Sequence, residues 1–240
     1  MTFQDAPIEG VIEQNLRAIR LDIQHACSKA RRPAEEVTLL PVTKYAGSGA
    51  VRALHGLGLR EFGENTVQGI LRKQEELRDL AALKWHMIGH LQRNKTKAAV
   101  AVFDVIQSLD NVALARELDK EGSKRGKTIR ALVEVNLGGE ESKIGIDRNG
   151  VAALLEEIAE LSNLRIEGLM TVPPFQDDLE KVRPYFRDLR ELREELNESR
   201  YLNVDLQELS MGMTHDYTVA IEEGATIVRI GTALFGPRSL

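Results

Sequence analysis

Two hydrophobic periods alternate along the chain. Ile8, Val11, Ile12, Leu16, Ile19 and Ile23 recur at helical spacing with charged residues between them, which predicts an amphipathic helix over residues 7–31, closed by Arg31-Arg32-Pro33. From Val37 onward, short apolar and β-branched runs alternate with longer segments of helical character. The runs predict strands at 37–44, 61–65, 84–89, 102–109, 129–136, 164–171, 206–212 and 227–235. Helices are predicted between them at 49–57, 66–80, 94–100, 111–126, 147–161, 179–199 and 214–223.

Eight strands with helices between them are what a closed (β/α)8 barrel requires. The predicted fold class is therefore α/β: a single TIM-barrel domain over residues 1–240, with the first helix packed outside it. An open doubly wound sheet is the alternative. No glycine-rich phosphate fingerprint follows the first strand, however, and Gly56-Leu57-Gly58 with Gly63 sits at a helix end with the wrong spacing.

Composition narrows the class. The chain has 240 residues, 42% of them hydrophobic and 29% charged, which describes an ordinary globular protein able to bury a sizeable core. A net charge of -5 argues against nucleic acid as a partner, since displacing counterions from phosphates needs a basic footprint. The single cysteine, Cys27, excludes an intramolecular disulfide framework. The polar amino terminus fits neither a signal peptide nor a membrane span, no apolar run is long enough to cross a bilayer, and a cytoplasmic location is expected.

In such a barrel, function collects at the carboxyl ends of the strands. Those ends carry Lys44, Asn65, His86 with Gly89 and His90, Ser108, Asn136, Met170 with Thr171, Ser210-Met211-Gly212, and Arg229 with Gly231-Thr232. Lys44 ends a buried strand, where it either snorkels to solvent or presents an amine to the mouth. The small residues and hydroxyls of Ser210-Met211-Gly212-Met213-Thr214 and Arg229-Ile230-Gly231-Thr232 are either tight turns or an anion cradle. Arg229 shares a face with Gly231 and, if that face is interior, needs a partner: Glu134, Glu208, or a ligand atom. His86 and His90 straddle a strand-to-turn junction and lack the glutamate of a helical zinc motif, so no metal site is expected.

Several longer motifs run in order through these ends: Val42-Thr43-Lys44, Phe62-Gly63-Glu64-Asn65, Trp85-His86-Met87-Ile88-Gly89-His90-Leu91-Gln92-Arg93-Asn94-Lys95, Glu134-Val135-Asn136, Glu167-Gly168-Leu169-Met170, Leu209-Ser210-Met211-Gly212-Met213, and Val228-Arg229-Ile230-Gly231-Thr232-Ala233-Leu234-Phe235-Gly236. Together they resemble the pyridoxal 5′-phosphate (PLP) homeostasis proteins, the YggS/PROSC family, similar in fold to the barrel domain of alanine racemase (PLP fold type III). The resemblance implies that Lys44 forms the covalent aldimine with the cofactor aldehyde and that Asn65 lies near the ring. It also implies that Arg229 faces the pyridine nitrogen, and that Ser210, Met211, Gly212, Gly231 and Thr232 bind the phosphate. Thr66, Gly69 and Thr214 depart from the residues usual in that family, which are tyrosine, an acid and serine.

The implied function is a carrier of PLP in intracellular cofactor homeostasis, with PLP-dependent apoenzymes as recipients. The alternatives are a low-activity amino-acid racemase and a Schiff-base aldolase acting on a sugar phosphate. A guanidinium beside the ring nitrogen weakens the ring as an electron sink, which disfavours strong α-carbon chemistry. The additional β domain that supplies a second base in the racemases is not expected, because the chain ends at Leu240, soon after the last strand. Tyr45 and Tyr217 are the substitutes nearest the strand ends, and each reads better as a packed ring with its hydroxyl in water.

Overall fold

A computed structural model describes residues 6–139, 144–199 and 201–236, with the side chains of residues 6–8 outside that description. Among the described residues the strands are β1 (Thr38–Pro41), β2 (Glu61–Glu64), β3 (Lys84–Met87), β4 (Val105–Leu109), β5 (Ile129–Asn136), β6 (Ile146–Asp147), β7 (Leu164–Met170), β8 (Val204–Met213) and β9 (Ile227–Ile230). The α-helices are α1 (Ala6–Lys29), α2 (Ser48–Gly56), α3 (Val67–Glu76), α4 (Thr96–Val102), α5 (Val112–Arg125), α6 (Val151–Ile158), α7 (Leu179–Asn197), α8 (Tyr217–Glu222) and α9 (Thr232–Phe235).

Parallel pairing runs in the order β1-β9-β8-β7-β5-β4-β3-β2. A parallel bridge between Val42 and Gly63, with the Thr43 N–H donating to the Gly63 carbonyl at 2.9 Å, joins the last strand of that path back to the first. The barrel is closed by that contact. Leu40, Val105, Leu132, Met170 and Ile227 form a separate apolar cluster, with Ile88 against it; these are inward positions of five strands and fill the interior. The larger core lies between strands and helices.

The first helix buries Ile12, Leu16, Ile19, Ile23, Ala26 and Cys27 on one stripe, and packs against α2, α8 and α9. Polar bonds fix its placement: Asn15 Nδ2 donates to the Leu234 carbonyl at 3.0 Å and the Tyr217 hydroxyl to Asp22 at 2.6 Å. Val11, expected on the apolar stripe, is 52% exposed. The side chain of Ile8 lies outside the described residues. No helix among the described residues is long and apolar enough to cross a membrane.

Most elements start or stop a few residues from the predicted bounds, and β1 ends at Pro41, three residues short of Lys44; three departures are of another kind. The last strand stops at Ile230, because Gly231 turns the chain at φ -113, ψ -81 and Thr232–Phe235 coils into a helical turn. Val102 ends α4 rather than opening a strand: Ala98 to Phe103 is a continuous apolar run, and periodicity does not separate helix from strand in such runs. The two-residue β6, paired in parallel to Val135 and Asn136, was not predicted.

Candidate cofactor site at the carboxyl end of the barrel

Lys44 stands two residues above the Val42 bridge that closes the barrel, outside the ladder of β1. Its side chain is exposed, with Nζ 5.2 Å from the centroid of the Tyr45 ring, so its amine is presented to solvent at the mouth and not desolvated in the interior. Asn65 follows the last residue of β2, the strand bridged to this end of β1, and is half-buried beside it. The two predicted residues therefore come together at adjoining strand ends.

Arg229 lies deeper, on β9 opposite Leu40 of β1, and is 4% exposed. Its Nη1 donates to Ser210 Oγ at 2.6 Å and its Nη2 to the Thr171 carbonyl at 2.7 Å. The Ser210 hydroxyl in turn donates to Gln107 Oε1 at 2.7 Å, Gln107 Nε2 meets His86 Nδ1 at 2.9 Å, and His86 Nε2 meets Glu61 Oε2 at 3.2 Å. A hydrogen-bonded chain thus crosses the interior from β9 to β2. The His86 bond, with Lys84 adding to it, holds the Glu61 carboxyl down to about 2. Burial pushes the Arg229 guanidinium down to about 10, against the pull of Glu134 and Asp216, so it remains charged at neutral pH.

The Ser210 side chain is bonded within the interior. Its hydroxyl is committed to Arg229 and Gln107, so its side chain acts by holding the guanidinium. Met211 is buried in the outer core and offers the mouth only its backbone. Gly212 has φ +89 inside β8, where the register against β9 shifts between Ser210 and Met213, and a Cβ there would meet Ala220 Cβ at 2.5 Å; α8 packs this close to the strand only over glycine. At Gly231 an added Cβ would find nothing nearer than the Val42 carbonyl oxygen at 3.7 Å. Thr232, exposed, opens α9, and Thr214 accepts the Ala233 N–H at 3.2 Å on its Oγ1, the work a serine at that position would also do.

Glu134 on β5 is 7% exposed, and its Oε2 has no hydrogen-bond partner among the described residues. It forms no ion pair within 4 Å of Arg229 in the described residues; the guanidinium is satisfied instead by a hydroxyl and a carbonyl. Burial pushes the Glu134 carboxyl up to about 7, Arg229 opposes the rise and Asp110 adds to it. The folded chain holds this proton more tightly than the unfolded chain does. The stability it contributes is full below the ordinary carboxylate range and is lost as pH rises through about 7. Glu134→Gln is expected to gain on the wild type by about 2 kcal/mol in urea unfolding as pH goes from about 5.5 to about 8.5. A pH-independent difference contradicts the assignment.

Other predicted residues fall elsewhere. Gln107, not Ser108, joins the interior chain; Ser108 Oγ is buried with no partner among the described residues. His90 faces Asp110 at 3.7 Å while His86 bonds Gln107 and Glu61, so the two histidines have separate partners. The Tyr217 hydroxyl, expected in water, donates to Asp22 instead. In the rim loop after β7, Phe175 is 73% exposed and its ring lies 5.0 Å from that of His215. The polar loop at 138–143 lies outside the described residues from 140 onward.

Residues 15–239 match the family described as alanine racemase, N-terminal domain. The chain is 49% identical over 216 residues to the pyridoxal phosphate homeostasis protein of Aquifex aeolicus, covering 90% of this chain and 93% of that protein. It is 37% identical over 234 residues to the protein of that name from Homo sapiens, covering 93% and 85%. It belongs to the pyridoxal phosphate homeostasis family. Among solved structures, PipY of Synechococcus elongatus with PLP bound is similar at 36% identity and a TM-score of 0.83, covering 94% of this chain and 100% of that one. Alanine racemase of Clostridium difficile shares the fold alone, at 13% identity and a TM-score of 0.69, and this chain spans 57% of its length.

Sequence reasoning missed one group beside this family's mouth: the buried pair of Glu64 and Lys73. A signal existed, since Lys73 falls between Ile70 and Leu77 on the stripe of α3 that faces the core, where a cation needs a partner. Gln107, between Val105 and Leu109 in a strand buried throughout, was passed over for Ser108 although its position carried the same kind of signal, a buried polar group in need of a partner.

Proposed function

We propose that this chain holds PLP at the carboxyl end of its barrel and serves cofactor homeostasis, with PLP-dependent apoenzymes as recipients. The observation that carries the reading is the placement of Lys44, Asn65 and the interior Arg229 at one barrel end, in a chain 49% identical to a pyridoxal phosphate homeostasis protein. The residues fit the group: an exposed amine, a glycine at 231 whose place beside the Val42 backbone carries no side chain, and a buried Glu134 oxygen without a partner among the described residues. When bound, PLP supplies an aldehyde for condensation with an amine, with release of one water, and a ring that can delocalise an electron pair.

The protein's own groups decide how far that chemistry goes. Lys44 provides the amine, and its place at the mouth leaves it open to exchange with solvent and with other amines. Arg229, pinned by Ser210 and Thr171, keeps a positive charge that would discourage protonation of a ring nitrogen held beside it. Asn65 would lie near the ring, and the irregular end of β8 at Met211-Gly212, with Gly231 and Thr232, would provide small residues, backbone and a hydroxyl for the phosphate. Binding without strong α-carbon chemistry suits a carrier.

The phosphate segments are tested with PLP against pyridoxal, which lacks the phosphate. PLP is expected to be retained through desalting, read by its visible absorbance, and pyridoxal to bind roughly 100-fold more weakly. Equal retention of the two contradicts the assignment of Gly231 and Thr232.

A further inference from the structure

The strand ladder of β1 stops at Pro41, and the backbone just before Lys44 is carried on by the Val42 N–H to the Ile230 carbonyl at 2.8 Å and the Thr43 N–H to the Gly63 carbonyl at 2.9 Å. Beside these bonds lies a buried charge pair that holds the same stretch from the other side. Glu64, the last residue of β2, is 1% exposed, and Lys73 of α3 is 9% exposed. Lys73 Nζ donates to Glu64 Oε1 and also to the backbone carbonyl of Thr43, the residue before Lys44. Thr43 Oγ1 donates to the same Glu64 Oε1 at 2.9 Å. The other carboxylate oxygen, Oε2, accepts the backbone N–H of Asn65 at 3.2 Å. One carboxylate therefore reaches the neighbours of both mouth residues. A Cβ at Gly69 would meet Glu64 Oε2 at 2.8 Å, so glycine there leaves the carboxylate its room.

A buried ion pair is a poor way to gain stability, because desolvating both charges offsets their attraction, and an apolar pair of the same volume does as well or better. Position 73 faces the core between Ile70 and Leu77, where leucine or methionine would pack. The bonds the pair makes are not to other side chains of α3 but to the Thr43 hydroxyl and carbonyl and to the Asn65 N–H, on either side of the mouth. We propose that the Glu64–Lys73 pair is the positioning device of this site, fixing Lys44 and Asn65 relative to one another. The inference rests on the reading of Lys44 as the attachment amine.

The test uses the full chain, with PLP as probe, in four forms: wild type, Lys44→Ala, Glu64→Gln/Lys73→Met and Thr43→Val. The double variant removes both charges together, and Thr43→Val removes, at nearly constant shape, the hydroxyl that reaches Glu64 Oε1 at 2.9 Å and the Gly63 carbonyl at 3.2 Å. Folding is checked by far-ultraviolet circular dichroism and cooperative urea unfolding. With folding intact, the double variant is expected to bind PLP roughly tenfold more weakly, and the visible circular dichroism of the bound cofactor to change, since misplaced reacting groups lose binding and orientation together. A purely structural pair would alter neither. If Lys44→Ala loses PLP while the folded double variant matches wild type in both readouts, the positioning role is overturned. Should the double variant not fold, Thr43→Val decides by the same two readouts. If Lys44→Ala itself binds PLP like wild type, the reading of Lys44 fails and the positioning role fails with it.

Discussion

Arg229→Met is expected to cost about 3 kcal/mol of unfolding free energy, measured by urea denaturation of the cofactor-free protein near neutral pH. The guanidinium is 4% exposed and supplies donors to Ser210 Oγ at 2.6 Å and the Thr171 carbonyl at 2.7 Å. Truncation strands that carbonyl and loosens the hydroxyl that also holds Gln107. Each buried polar group left short of a partner costs about 1–3 kcal/mol. Glu134 is affected as well, because Arg229 is what opposes the burial-driven rise of its carboxyl. Without Arg229 that carboxyl takes up its proton at still higher pH, which limits the loss. Arg229→Met/Glu134→Gln should therefore recover about 1 kcal/mol over the single variant. A loss below about 1 kcal/mol for Arg229→Met, or no recovery in the pair, contradicts this account of the interior.

Much of the barrel is legible in the sequence because its strands are short apolar runs punctuated by turn residues, and the helices between them carry one apolar stripe. Ile129–Asn136 matches its predicted bounds, and the other barrel strands fall within a few residues of theirs except at Val102 and after Ile230. Those two failures have local causes: an apolar run without a period, and a glycine turn that converts a β-branched stretch into a helical one. Lys44, Asn65 and Arg229 were legible as polar residues at strand ends. Their partners were not, because partner choice is tertiary. Lys73 reaches Thr43 across 30 residues, and Ser210 reaches Gln107 across 103. The exposure of Lys44 was likewise hidden, since a strand-end lysine reads the same whether its amine turns inward or out.

The largest effect expected anywhere in the chain is the loss of retained PLP in Lys44→Ala. Attachment needs an amine at the mouth, and the neighbouring lysine cannot replace it: Lys73 is buried and bound to Glu64 and to the Thr43 carbonyl. Because Lys44 is exposed and, among the described residues, no hydrogen bond or ion pair ties it to the interior chain through Arg229, its removal should leave the fold intact, so loss of the cofactor reports on chemistry and not on unfolding. The decisive measurement is the visible absorbance of wild type and Lys44→Ala, each incubated with PLP and desalted. A band kept by the wild type and absent from the variant is the predicted result. A band kept equally by both, or by neither, would contradict the assignment of Lys44 and with it the central claim.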